Sequence, residues 1–205
     1  MDTNRSYLTS RPHPWHGVEN GEHAPKIVNA FIEMTPFDHV KLEINKENGY
    51  LFIDRPQLMS SLPPTPYGII PRTLCAKEVA KLMDGANKGD MDPLDICIFS
   101  ERAIPRGDVF LKAKVIGGIP MLDKGLADDK IIAVLENDPL WGDVEDIKEL
   151  PGKLIKRQTH YFTTYKTIPG EKTTVSVGNP YGADHARSVI RAAIVDYYNF
   201  FGLKR

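Results

Sequence analysis

With only two cysteines, Cys75 and Cys97, this chain of 205 residues cannot be built on a disulfide framework. No apolar run approaches membrane-spanning length, and the N-terminus lacks the apolar core of a secretory signal. Neither sign of charge is in excess. There are 26 Lys and Arg against 27 Asp and Glu, a net charge of −1, with the basic residues spread along the whole length. That balance argues against a general binder of nucleic acid or of anionic membranes. Internal repeats and low-complexity runs are also missing. The expectation is a cytoplasmic protein with both thiols reduced, and a length that suits one well-buried domain over residues 1–205.

Short β-type runs dominate what is present. They fall at residues 27–34, 95–99, 109–116, 130–135 and 173–177, and residues 40–54 read as a hairpin turning at Asn48-Gly49. Many short strands separated by turn residues predict an antiparallel sheet closed into a barrel. Two helices are expected, one from Pro151 to about Lys166 and one from about Ala183 to Phe201, where Ile190, Ile194, Tyr197 and Phe201 fall on helical spacing. A shorter helix is expected within 76–88. Residues 1–25 are polar and rich in Pro and His, with Trp15 as the one large anchor.

Chemistry concentrates in Asp90-Met91-Asp92-Pro93-Leu94-Asp95, and a second acidic cluster follows at Asp123, Asp128 and Asp129. Carboxylates packed this closely repel unless cations lie between them, and hard divalent ions with oxygen ligands are the usual answer. An EF-hand loop does not fit, because Asp95 stands where that loop needs glycine. In the hairpin, a two-residue loop would set Glu43 opposite Asp54, two like charges. A three-residue loop with Gly49 left-handed pairs Lys41 with Arg55 and gathers Lys41, Glu43 and Arg55 on one face, where the two cations could share an anion. Glu43, Asp90, Asp92, Asp95, Asp123 and Asp128 set against Lys41, Arg55, Lys130 and Lys166 leave two negative charges. Divalent cations arriving with a polyphosphate would balance that set.

These motifs resemble family I soluble inorganic pyrophosphatases. The likeness runs in collinear order through Phe31-Ile32-Glu33, Lys41-Leu42-Glu43, Leu51-Phe52-Ile53-Asp54-Arg55, Tyr67-Gly68-Ile69-Ile70, the aspartate loop, Asp123…Asp128-Asp129-Lys130 and Tyr165-Lys166. The resemblance implies a mainly β, α+β fold, a five-stranded OB-like antiparallel barrel with flanking helices. It implies hydrolysis of pyrophosphate to two orthophosphates by a metal-bridged hydroxide in direct in-line attack, using three or four Mg²⁺, with Mn²⁺ or Zn²⁺ as possible substitutes. By the same resemblance Asp90, Asp95, Asp123, Asp128 and Glu43 would hold metal, and Asp92 would be the general base. Lys41, Arg55, Tyr67, Lys130, Tyr165 and Lys166 would grip phosphate, with Glu33 at the rim. A homo-oligomer is implied, a hexamer in many bacterial members, which use two histidines one turn apart; here His160 is followed by Thr164. Many members also carry a tyrosine where this chain has Pro63, so a phenol contact is absent or supplied elsewhere. The segment 76–88 is longer than in compact bacterial members.

Overall fold

The computed structural model describes residues 11–168, 170 and 172–203. Its centre is a closed barrel of five strands. β1 (Ile27–Met34) pairs with β4 (Tyr67–Ile69), β4 with β6 (Asp95–Phe99), β6 with β10 (Lys130–Leu135), β10 with β7 (Val109–Ile119), and β7 returns to β1. Four of these pairings are antiparallel, but β6 and β10 run parallel, with Asp95 opposite Lys130. The barrel is therefore mixed, which corrects the wholly antiparallel expectation. Alternating hydrophobicity carries no information on the direction of a neighbouring strand. β7 also runs three residues beyond the expected end, because its second half pairs with β10 after its first half has served β1.

Strands β6 and β10 are apolar at nearly every position because both of their faces are covered. Ile96, Ile98, Ile131 and Ala133 pack with Ala186, Val189, Ile190, Ala193 and Ile194 of helix α3 (Ala183–Phe200). The alternate residues Cys97, Phe99, Ile132 and Val134 pack with Tyr161, Phe162 and Tyr165 at the end of helix α2 (Gly152–Thr164). Both long helices fall where their apolar spacing places them. The segment 76–88 yields only one helical turn, α1 (Lys77–Ala80), and then β5 (Lys88–Gly89).

Smaller elements surround the barrel. β2 (Val40–Ile44) and β3 (Leu51–Pro56) form the expected hairpin; β8 (Met121–Asp123), β9 (Leu126–Ala127) and β11 (Val175–Val177) join β5 in a second sheet, and β12 (Tyr181–Gly182) extends β7. Residues 1–10 of the polar segment 1–25 lie outside the described residues. Within its remainder Trp15 is buried, its Nε1 donates to Thr73 O at 2.8 Å, and its ring packs against Phe201 and Tyr197 of the α3 end.

A buried carboxylate ties the helices together. Asp196 of α3, 5% exposed, accepts the backbone N–H groups of Ala76 (3.1 Å), Glu78 (2.9 Å) and Val79 (3.0 Å), the orphan donors at the start of α1. Removing the acceptor leaves those amides without partners in a dry setting. Asp196→Ala should lower the unfolding free energy by roughly 2–3 kcal/mol, and Asp196→Asn, which keeps one oxygen, by less. Urea denaturation checks this; a change within about 0.5 kcal/mol for Asp196→Ala, the scatter of surface substitutions, would contradict it.

Candidate active site

The parallel pairing of β6 and β10 builds the site. It sets Asp95 and Lys130, the first residues of the two strands, side by side, so the loops that enter both strands meet at one end of the barrel. One loop carries Asp90 and Asp92, the other Asp123 and Asp128. Lys130, 1% exposed, donates to both Asp95 and Asp128.

The aspartate loop is held by backbone bonds to residues 70–75. Cys75 N donates to Asp92 O at 2.8 Å, Met91 N to Cys75 O at 3.0 Å, and Ile70 N to Leu94 O at 3.0 Å. Leu94 N donates to Thr73 Oγ1 at 3.0 Å, and Asp92 N to the Asp90 carboxylate at 3.0 Å. Approach to residue 75 is so close that a Cβ on Gly89 would lie 2.0 Å from Cys75 O, which only glycine permits. Asp123 is placed by the β8–β9 turn, where Lys124 (φ 53°) and Gly125 (φ 79°) are both left-handed, as tight hairpins require. That turn was not among the expected elements, although a lysine-glycine pair between short apolar runs was its signal.

The hairpin brings Lys41 opposite Arg55, and Gly49 is left-handed with φ 74°. The route differs from the three-residue loop expected. Asn45 bonds Tyr50, closing a four-residue turn, and a bulge between Lys41 and Leu42 restores the Lys41–Arg55 pair with Asp54 as the extra residue. Asp54 supplies the shared anion: Lys41 Nζ lies 3.1 Å and Arg55 Nε 3.7 Å from its carboxylate. Lys41 also pairs with Glu43.

The cavity enclosed by these elements, about 270 Å³, is lined by Lys41, Glu43, Tyr67, Asp90, Asp92, Asp95, Asp123, Asp128, Lys130, Tyr165 and Lys166 among others. Of the expected residues Arg55 is the exception: it does not line the cavity but turns to Asp54 and to Pro56 O. Glu33, expected at the rim, is 4% exposed in the cavity wall, where its carboxylate accepts Ile44 N–H at 2.8 Å and fastens β1 to the hairpin. Sequence reasoning missed Lys46, from the hairpin turn, which pairs with Asp92, and Tyr161, Gln57 and Lys124, which also line the cavity.

Electrostatically, acids outnumber lysines in the cavity lining, seven to five. Burial, then the neighbouring Asp128 and Asp95, pushes the Asp90 carboxyl up to about 8. Burial also raises Asp128, with Lys130 opposing it. The same two acids hold Lys130 protonated against its own burial, its pKa well above the usual lysine value. No thiol or imidazole lines the cavity, so its donors are carboxylate oxygens, the chemistry that hard divalent cations select. Among the described residues no three acid, thiol or imidazole side chains stand gathered for a metal, because lysines take up the gaps. Asp90, Asp95, Asp128, Asp123 and Glu43 thus fit divalent cations chemically, with cation binding displacing ammonium groups.

Glu33 generates a pH-dependent prediction. Burial raises its carboxyl from 4.5 to about 8 in the folded chain. The folded state keeps it neutral while the unfolded chain ionises it, so its contribution is full below pH 4.5, declines as pH rises and is lost by pH 8. Glu33→Gln stays neutral throughout and keeps an acceptor for Ile44. In EDTA, it should gain on the parent by on the order of 1–3 kcal/mol between pH 5 and pH 8. Urea melts of both proteins at those two pH values measure the difference, and a gap that does not change with pH would refute it.

The family profile described as inorganic pyrophosphatase matches residues 30–198. The chain is similar to an inorganic pyrophosphatase of Chlamydia trachomatis, 42% identical over 199 residues that cover 92% of this chain and 95% of the relative. It is also similar to soluble inorganic pyrophosphatase 1 of Arabidopsis thaliana, 37% identical over 80% of this chain and 71% of that protein. Among solved structures, the inorganic pyrophosphatase of Thermus thermophilus superposes with a TM-score of 0.77 at 27% identity, covering 91% of this chain and 99% of that one.

Proposed function

The chain belongs to the inorganic pyrophosphatase family, and on that premise we propose that it hydrolyses pyrophosphate to two orthophosphates by direct in-line attack of water, with Asp92 as general base. One observation carries the reading. Asp90, Asp92, Asp95, Asp123 and Asp128 converge with Lys41, Lys130 and Lys166 in one cavity at the joined ends of two parallel strands. Asp90, Asp95 and Asp128 would hold the first divalent cation, with Asp123 and Glu43 assisting those that come with substrate. Mg²⁺ is the ion proposed. When bound, such ions neutralise phosphate charge and make nearby water acidic enough to react at neutral pH.

The chain's own groups then have these tasks. Lys41, Lys130 and Lys166 orient the phosphates and stabilise the charge that spreads over the phosphoryl oxygens, inside a cavity where preorganised cations are worth more than in water. Tyr67 and Tyr165 stay neutral and can only donate or accept a hydrogen bond. Burial and the neighbouring acids hold the Tyr67 phenol well above its usual pKa, and burial raises that of Tyr165. Asp92 is half exposed beside Lys46, open to solvent to which it could pass a proton. Arg55 acts through Asp54 on the orientation of Lys41. We further propose that the whole chain is one catalytic domain working in the cytoplasm as a homo-oligomer. Exposed His160 on α2 is in keeping with contacts between copies, and no described helix is long and apolar enough to cross a membrane.

Purified protein with millimolar Mg²⁺ should release phosphate from pyrophosphate, and EDTA should abolish the release. Asp92→Asn should reduce turnover on the order of 10²- to 10⁴-fold, the range for a general base, with circular dichroism unchanged. A parent protein that releases no phosphate, or an Asp92→Asn variant of undiminished turnover, would overturn the assignment or the role.

A further inference from the structure

We infer that Gln57 is a substrate-binding residue, donating from its side-chain amide to a phosphoryl oxygen of pyrophosphate; this rests on the reaction proposed above. Gln57 lies one residue past β3, and its backbone N–H bonds His39 O at 3.0 Å, which fixes the base of the hairpin. The residue lines the same cavity as Lys41, Lys46 and Tyr67. Among the described residues three buried side-chain nitrogen or oxygen atoms have no hydrogen-bond partner, and of their residues Gln57 is the one that lines this cavity. A buried donor without an acceptor destabilises a fold, so where one persists a ligand that satisfies it is a physical explanation.

The surroundings define what that ligand is. Five acids of the cavity are engaged by lysines, with Asp90 and Glu33 the exceptions: Glu43 by Lys41, Asp92 by Lys46, Asp95 and Asp128 by Lys130, and Asp123 by Lys166. Gln57 therefore borders a space in which most of the acids already have lysine partners. A free donor among ammonium groups is complementary to a ligand with many anionic oxygens, which is what a polyphosphate offers. Being neutral, the amide contributes direction without adding to the charge that Lys41, Lys130 and Lys166 already supply.

Gln57→Met removes the donor at similar volume, and Gln57→Glu places a carboxylate where phosphate oxygen would lie. Steady-state kinetics on pyrophosphate in saturating Mg²⁺, with thermal melts of the free proteins, test the inference. Gln57→Met should raise KM on the order of tenfold, the loss of one hydrogen bond to a charged group, with kcat changed by less than about threefold. Its Tm should stay level or rise, because an unsatisfied buried group has gone. Gln57→Glu should raise KM further. An unchanged KM in Gln57→Met, or a KM rise accompanied by a falling Tm in both variants, would overturn the inference in favour of no role or a purely structural one. Absence of pyrophosphate hydrolysis by the parent protein would instead sink the reaction on which it rests.

Discussion

The structure depends on one buried cation. Lys130 is 1% exposed and sits between Asp95 and Asp128 at the start of the only parallel strand pair in the barrel. An ammonium taken so far out of water is tolerated only with close anionic partners, and two carboxylates this near each other are tolerated only with a cation between them. Each therefore makes the other possible. Asp90 is the acid this arrangement leaves without a lysine, and its carboxyl is held up near 8. One lysine shared among three acids leaves a deficit of positive charge, and that deficit is what the divalent ions of the proposed reaction would make good.

Such a cluster would disperse if its loops were loose, and the surrounding elements hold it in sequence. Residues 70–75 bind the aspartate loop through backbone bonds and through Thr73 Oγ1. Thr73 O in turn accepts the Trp15 indole, and Leu74 N donates to Ala193 O of α3 at 2.9 Å. The N-terminal segment also touches the other side of the site, because a Cβ on Gly49 at the hairpin tip would fall 2.6 Å from the Pro14 ring. Trp15 and its neighbours thus stand behind both the loop that carries Asp92 and the hairpin that carries Lys41 and Lys46.

Much of this was legible in the residues. β1, β6 and β10 have the bounds their apolar runs suggested, because strands covered on both faces show as continuous hydrophobic segments. The aspartate loop was legible because repelling charges at that spacing need an explanation. Strand direction was not. β6 and β10 are separated by β7 in the chain, and nothing local encodes that they lie parallel. The hairpin shows how a right conclusion can come by another path: Lys41 does face Arg55, but through a bulge at Asp54 that pattern reasoning does not resolve. Lys46 and Gln57 were missed because a turn lysine and a glutamine after a strand look like ordinary surface residues until the fold brings them to the cavity.

The four lysine–carboxylate groupings around the cavity set the terms on which anything binds there. A cation that takes an oxygen from Asp95, Asp123, Asp128 or Glu43 competes with an ammonium already in place. The displaced ammonium then needs an anion in a poorly solvated space, where an unpaired charge is costly. A ligand of several anionic oxygens meets that need, and its arrival makes the next cation easier to hold. Metal affinity and polyphosphate affinity are in this way linked by charge balance alone, each raising the other by the same factor. A preformed cage of acids without lysines would bind metal more tightly but would lack freed cations to hold phosphates. On the proposed reaction, the lysines that mask the site are the groups that would hold its substrate.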